Sequence, residues 1–217
     1  MKFLIKFTTT VLLIAASFLA LAYFIWYKPK FNTIVGKTSF TVSKGDFNKK
    51  ILLRIKQKSM ELVEYANAHG YNAQYCFMVD MSMPSGKKRF FVYNIKMDAI
   101  MRAGLVAQGS GRTISTAIPF SNSPNSLCTA LGKYKIGGSY MGKFGLAFKL
   151  FGLDTTNDNA FARAVVLHAN SCVPNEETAP IPICLSWGCP TVAPAFLQEL
   201  KEYINDSEKP VLLYIYY

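Results

Sequence analysis

The chain has 217 residues, 51% of them apolar and 14% aromatic, which is enough for one domain with a real core, or at most two small ones, and excludes a disordered chain. Its net charge of +11 draws it toward polyanions, either nucleic acid or an anionic membrane or wall polymer. No zinc-finger pattern, recognition motif or arginine-rich run supports nucleic acid, so none is expected as a partner.

Lys2 and Lys6 precede an uncharged, mostly apolar span over 7–27. A bilayer-spanning helix needs roughly 20 such residues. Ala20-Leu21-Ala22 would serve as a small-x-small cleavage site, yet Tyr23-Phe24-Ile25-Trp26-Tyr27 continues apolar beyond it. Tyr23, Trp26 and Tyr27 before Lys28 read as an interfacial aromatic belt. The reading is a membrane-spanning signal anchor over 1–27, with a cleaved signal peptide as the alternative. A tether over 28–45 and one domain over 46–217 follow. Export favours the envelope polymer over nucleic acid as the polyanion.

Asp46 is placed to cap a helix over 47–68, with Ile51, Ile55, Leu62, Val63 and Ala66 on one face and Gly70 as the stop. His69 then sits at a helix end, where the dipole favours a surface histidine. The runs over 73–81 and 89–96 are strand-like and separated by the turn signal Pro84-Ser85-Gly86. A short apolar run over 105–108 leads into turn-rich sequence over 109–111 and 119–126. Glycines among aromatics over 132–151 predict tight hairpins and a closed or strongly bent sheet. A strand over 161–168, a short helix over 196–204 and a last strand over 211–217 complete a mainly β domain with one or two helices.

Chemistry concentrates late in the chain. His168 ends a strand-like run, and Cys189 follows 21 positions later in the small-residue turn Ser186-Trp187-Gly188-Cys189-Pro190. A thiol that attacks an amide needs a base and N–H donors for the oxyanion, and this turn exposes both sulfur and amides. The bland alternatives are an inert buried thiol and a core histidine. A zinc set of His168, Cys172, Cys184 and Cys189 is a poorer fit, because no CxxC pair occurs. No GxSxG is present, and Gly109-Ser110-Gly111 is too short for a phosphate loop. Five cysteines in an exported chain leave at least one thiol unpaired, with any disulfide pairing open.

Several segments together resemble the L,D-transpeptidase catalytic domain family of murein enzymes, in particular a subgroup ending in S-x-G-C-P. They are Phe120-Ser121-Asn122, the stretches over 126–134 and 140–145, Gly152-Leu153-Asp154 with Asn157, Arg163 through Ala169, and Ser186 through Pro190. The resemblance implies a β-sandwich or barrel in which Cys189 attacks a carbonyl of a peptidoglycan stem tetrapeptide. His168 would act as base and then acid. N–H groups around Gly188 and Cys189 would hold the oxyanion, and Ser186 would orient the turn. Relatives of this kind are acylated by carbapenem-type β-lactams, and no cofactor or metal is implied. Family members often carry a second histidine where Trp187 stands, and an arginine after the cysteine where Pro190-Thr191 stands. Trp187 is therefore a candidate for stacking on substrate or for simple packing, and Tyr140 and Asn122 are cleft candidates or turn residues. Recognition of the stem carboxylate falls to Arg163 or Lys133, with a solvated strand-edge charge as the alternative for Arg163. A hydrolase on the same scaffold and a catalytically silent wall-binding domain are the competing functions. The number of subunits is left open.

Overall fold

The computed structural model describes residues 6, 13–21, 23, 47–113 and 119–217. The chain divides into two compact units, Met1–Ser39 and Phe40–Tyr217. In the first, the described residues are helical and exposed. Among the described residues no helix is long and apolar enough to cross a membrane. Most of the expected anchor, the tether over 28–45 and Asp46 lie outside the described residues.

Helix α1 spans Lys49–His69. Its cap is Asn48 rather than the expected Asp46: Asn48 is extended and its side chain accepts from the Ile51 N–H at 3.0 Å. Gly70 ends the helix at φ 73°, where its N–H returns to the Ala66 carbonyl. Ile55, Ser59, Leu62 and Ala66 form the buried stripe. Ser59 belongs to it because its hydroxyl is satisfied by the Lys56 carbonyl at 2.8 Å, while Val63 falls at the margin.

Among the described residues nine strands form one sheet: β1 Tyr75–Asp80, β2 Phe90–Asn94, β3 Ala99–Gly104, β4 Val106–Ala107, β5 Gly132–Gly142, β6 Gly145–Gly152, β7 Val166–Ala169, β8 Thr191–Val192 and β9 Leu212–Tyr216. Helix α2, Pro194–Asn205, lies between β8 and β9 in the chain. The strand order is β3-β2-β1-β9-β5-β6-β7-β8-β4. The two outermost strands, β3 and β4, are joined by Leu105 alone. A flat sheet of this many strands would hold its edges roughly 40 Å apart. A one-residue link spans about 7.6 Å. The sheet therefore rolls until its edges meet, giving a nearly closed barrel.

Arg89 staples that seam. Its side chain is buried and donates to the Val106 carbonyl at 3.2 and 3.0 Å and to the Met83 carbonyl at 2.9 Å. Burial pushes its pKa down to about 10, opposed by the nearby charge of Asp80. Gly104 is required at the seam, because a Cβ there would lie 2.4 Å from the Phe196 ring.

Side chains alternate across the sheet with period two. Phe77 and Val79 of β1, Phe90 and Val92 of β2, and Leu213 and Ile215 of β9 enter the inner core with Tyr134, Phe148, Leu150, Leu167 and the apolar side of α2. Cys76, Met78, Phe91, Tyr93, Leu212 and Tyr216 point the other way and pack under α1.

Two sequence expectations need correction here. The strand expected over 161–168 begins only at Val166, because Ala164 adopts φ 54° and the Val165 N–H turns back to the Ala160 carbonyl. Strand β3 was not anticipated, since Ala99–Gly104 shows no polar–apolar alternation.

Candidate functional site

Strand β7 pairs antiparallel with β6, setting Ala147 against His168 and Lys149 against Val166. It pairs parallel with β8, setting His168 against Thr191. Leu167 and Val192 point into the inner core, so Val166, His168 and Thr191 face outward. Continued two residues back, the parallel register places Cys189 beside Val166. Its sulfur indeed accepts from the Val166 N–H at 3.5 Å. On the other side β5 sets Tyr140 against Ala147. Two transverse rows result on one face of the sheet. One holds Tyr140, Ala147, His168 and Thr191; the next holds Lys149, Val166 and Cys189.

His168 is 6% exposed and fixed on three sides. Nδ1 lies 3.0 Å from the Ala169 carbonyl, which can only accept, so the proton sits on Nδ1. Nε2 then carries the lone pair and accepts from the Thr191 hydroxyl at 3.0 Å. Phe144, at the β5–β6 hairpin tip, stacks on the imidazole with centroids 5.2 Å apart and an interplanar angle of 22°. Among the described residues no hydrogen bond joins the imidazole to the thiol. Thr191 instead links the imidazole to the backbone of the cysteine turn, with its Oγ1 3.3 Å from the Cys189 carbonyl oxygen.

The cysteine turn is built by Ser186. Its hydroxyl donates to the Cys189 carbonyl at 2.7 Å and accepts from the Gly188 N–H at 3.2 Å. Ser186 also bridges to the strand edge through the Gln108 carbonyl and the Ser110 N–H, at 2.8 and 2.9 Å. Gly188 has φ 115°, and a Cβ there would sit 2.8 Å from the Cys128 carbonyl oxygen, so only glycine fits. The expected pair of oxyanion amides is thereby reduced. The Gly188 N–H is already engaged by Ser186, whereas the Cys189 N–H has no partner among the described residues.

Burial pushes the Cys189 thiol above its ordinary range, against the Val166 N–H and the positive charge of Arg163. Burial likewise holds His168 below its ordinary value, against its bond to the Ala169 carbonyl. Both shifts favour a neutral thiol beside a neutral imidazole in the free protein.

Arg163 departs from the reading of a solvated strand-edge charge. It is neither a solvated strand-edge charge nor a free cation. Its guanidinium donates to the Ser121 carbonyl at 2.9 Å, the Cys128 carbonyl at 2.6 Å and the Ser126 hydroxyl at 3.3 Å. Lys133 is paired with Asp154 at 2.8 Å. Asn122 pins two loops together, donating to Asp158 at 2.6 Å and to the Thr155 carbonyl at 3.2 Å, which is a structural arrangement. Trp187 is 73% exposed beside the cysteine, and Tyr140 is 40% exposed in the row of His168. Both are open to a ligand.

Cys172 and Cys184 form a disulfide, which removes two of the ligands a zinc reading required and ties the excursion between β7 and β8. Cys76 and Cys128 are buried free thiols, and burial pushes the Cys76 pKa up to about 12. Cys189 is the half-buried one. A cleft of about 370 Å³ opens beside Phe144, Ala169 and Asn170. A larger depression of about 670 Å³, between the ends of α1 and α2, holds neither Cys189 nor His168. Thr191, Phe144 and the Ala169 carbonyl were missed from sequence. Thr191 gave no signal of its own, because the strand that holds it is only two residues long.

The sequence profile described as "L,D-transpeptidase catalytic domain" matches residues 47–216. The fold is similar to an L,D-transpeptidase from Xylanimonas cellulosilytica DSM 15894 at 14% identity and TM-score 0.36, covering 70% of this chain and 68% of that one. It is similar to the helical cell shape determining protein Pgp2 of Campylobacter jejuni at 16% identity and TM-score 0.40, covering 67% of this chain and 48% of that one. L,D-transpeptidase 1 of Mycobacterium tuberculosis gives 11% identity and TM-score 0.32, covering 65% of this chain and 60% of that one. The chain thus spans about half the length of the Campylobacter protein it matches. A comparison with curated proteins finds no match.

Proposed function

Since the chain belongs to the L,D-transpeptidase catalytic domain family, we propose that it is a cysteine acyltransferase of the cell wall, with Cys189 as nucleophile and His168 as acid–base. The observation that supports this best is the imidazole whose Nδ1 is fixed on the Ala169 carbonyl while its Nε2 lone pair is directed to the hydroxyl of Thr191, two residues after Cys189.

A donor stem tetrapeptide places its scissile carbonyl at the Cys189 sulfur. Nε2 exchanges the Thr191 hydroxyl for the thiol and takes its proton as the C–S bond forms. The Cys189 N–H faces the developing oxyanion. His168 returns the proton to the departing amine of D-alanine, leaving a thioester. An acceptor amine of a neighbouring stem then attacks, loses a proton to His168 and restores the thiol. The cleft beside Phe144 and Ala169 gives that acceptor an approach on the imidazole side. Trp187 and Tyr140 offer stacking surfaces, and the positive charge of the chain suits an anionic wall polymer. The substrate lies in the cell envelope, so the protein works there, with the segment over 1–27 as its export or anchoring element.

Incubation with tetrapeptide-containing muropeptides, read by mass spectrometry, is expected to give cross-linked dimers and released D-alanine. Tripeptide without dimer would instead make the protein an L,D-carboxypeptidase. No product, together with a Cys189 that resists carbapenem, would leave a wall-binding domain.

The pH response follows from the two shifts. A lowered imidazole pKa keeps the base form present at lower pH, so the acid limb of kcat/KM is expected below about 6.5. A raised thiol pKa delays the thiolate, so iodoacetamide alkylation of Cys189 in the free protein should still be rising at alkaline pH. An alkylation rate already flat near neutrality would reveal a preformed ion pair and contradict this mechanism.

A further inference from the structure

The donor peptide carries free carboxylates, and the two cations that sequence offered for them are occupied: Arg163 by two carbonyls and a hydroxyl, Lys133 by Asp154. We propose that Lys149 on β6, together with Tyr140, forms the carboxylate-binding subsite for the donor peptide. This rests on the reading of Cys189 as nucleophile.

Lys149 is paired across the sheet with Val166, whose N–H meets the Cys189 sulfur at 3.5 Å. Lys149, Val166 and Cys189 therefore lie in one row, with Lys149 two strand spacings, roughly 10 Å, from the cysteine backbone. Its side chain is exposed and has no carboxylate partner among the described residues. Nζ lies 5.9 Å from the centroid of the Tyr140 ring, and Tyr140 stands in the row of His168. The ring holds the ammonium on the reactive face by cation–π attraction, and its phenol adds a second donor. An extended peptide advances about 3.3–3.6 Å per residue. A carboxylate one or two residues from a carbonyl held at the sulfur therefore falls within reach of the lysine.

The other cations near this face are worse placed. Lys135 lies over the Phe151 ring at 4.5 Å, in the register position of Phe151, one step further from His168 than Lys149 along β6. Lys143 sits at the hairpin tip, 5.7 Å from the Phe144 ring. Lys149 is the cation whose register position adjoins the residue bonded to the thiol.

The test is equilibrium binding, by calorimetry, of full-length Cys189→Ala protein to three peptides. These are the stem tetrapeptide, its C-terminal carboxamide, and the peptide amidated on the side-chain carboxyl of its diamino acid. Adding Lys149→Met should weaken tetrapeptide binding by up to about fivefold. It should leave unchanged the binding of whichever amidated peptide has lost the recognised carboxylate, which identifies that carboxylate. Lys149→Arg should restore most of the affinity. Because the side chain is exposed, both variants should melt with the parent. Equal affinity of the Lys149→Met protein and its parent for all three peptides would overturn the subsite. Carboxylate-dependent binding in a wild-type protein that turns over no donor would retain the subsite and remove the nucleophilic reading, whereas turnover indifferent to Lys149 would do the reverse.

Discussion

Replacing Cys189 by alanine is expected to reduce acyl transfer to background, a loss of about 10⁴-fold or more, because no second thiol can take its place. Cys76 and Cys128 are buried, and Cys172 and Cys184 are bonded to each other. The half-buried side chain is small, so melting should move little. His168→Ala should cost about 10²–10⁴-fold in kcat/KM, the usual worth of a positioned acid–base group. That variant also leaves Thr191 and Phe144 facing a hole, so His168→Gln is the cleaner companion. The amide keeps a donor for the Ala169 carbonyl and an acceptor for Thr191 but cannot shuttle a proton at neutral pH. Intact-protein mass spectrometry after exposure to donor peptide or carbapenem reads the thioester directly. Adduct formation at an undiminished rate in His168→Gln, or any turnover surviving in Cys189→Ala, would remove the pair from the chemistry.

A strand end, a proline-rich excursion and a glycine turn are local signals, and they pointed to His168 and Cys189 as neighbours; the structure sets the two in adjacent rows of one sheet face with no hydrogen bond between them. The way the two residues communicate was not legible in sequence. The register of β7 with β8 fixes which neighbours share a face, and a two-residue strand such as Thr191–Val192 leaves no periodic trace. The closed character of the sheet was readable from glycines among aromatics over 132–151, but its seam was not. That seam depends on one buried arginine, Arg89, serving carbonyls on two segments of the chain. Helix α1 was placed nearly correctly because its stop, Gly70, takes the left-handed conformation glycine favours, while its start is set by the Asn48 side chain that reaches the Ile51 amide. Arg163 was misjudged for a further reason. A charge ahead of a strand looks solvated in one dimension, and only the folded loop over 121–128 brings carbonyls to it.

That misjudged residue carries the other large expectation. Arg163→Met is expected to lower stability by about 3–5 kcal/mol, because it leaves the Ser121 and Cys128 carbonyls without their charge-assisted donor. In a chain of this size that corresponds to a melting shift on the order of 10 °C. The same change removes the positive charge that favours the Cys189 thiolate, so alkylation of Cys189 at a fixed alkaline pH should slow. The two effects are separable. Arg163→Lys keeps the charge but has no planar fork to serve three acceptors, so it should lose much of the stability while retaining part of the thiol reactivity. Gly188 links them structurally: its backbone packs on the Cys128 carbonyl that Arg163 holds, so loosening that carbonyl loosens the turn that aims the sulfur. Differential scanning calorimetry and iodoacetamide kinetics on the two variants read both consequences. A wild-type melting temperature and wild-type alkylation rate in Arg163→Met would show that this guanidinium neither holds the loop nor acts on the thiol.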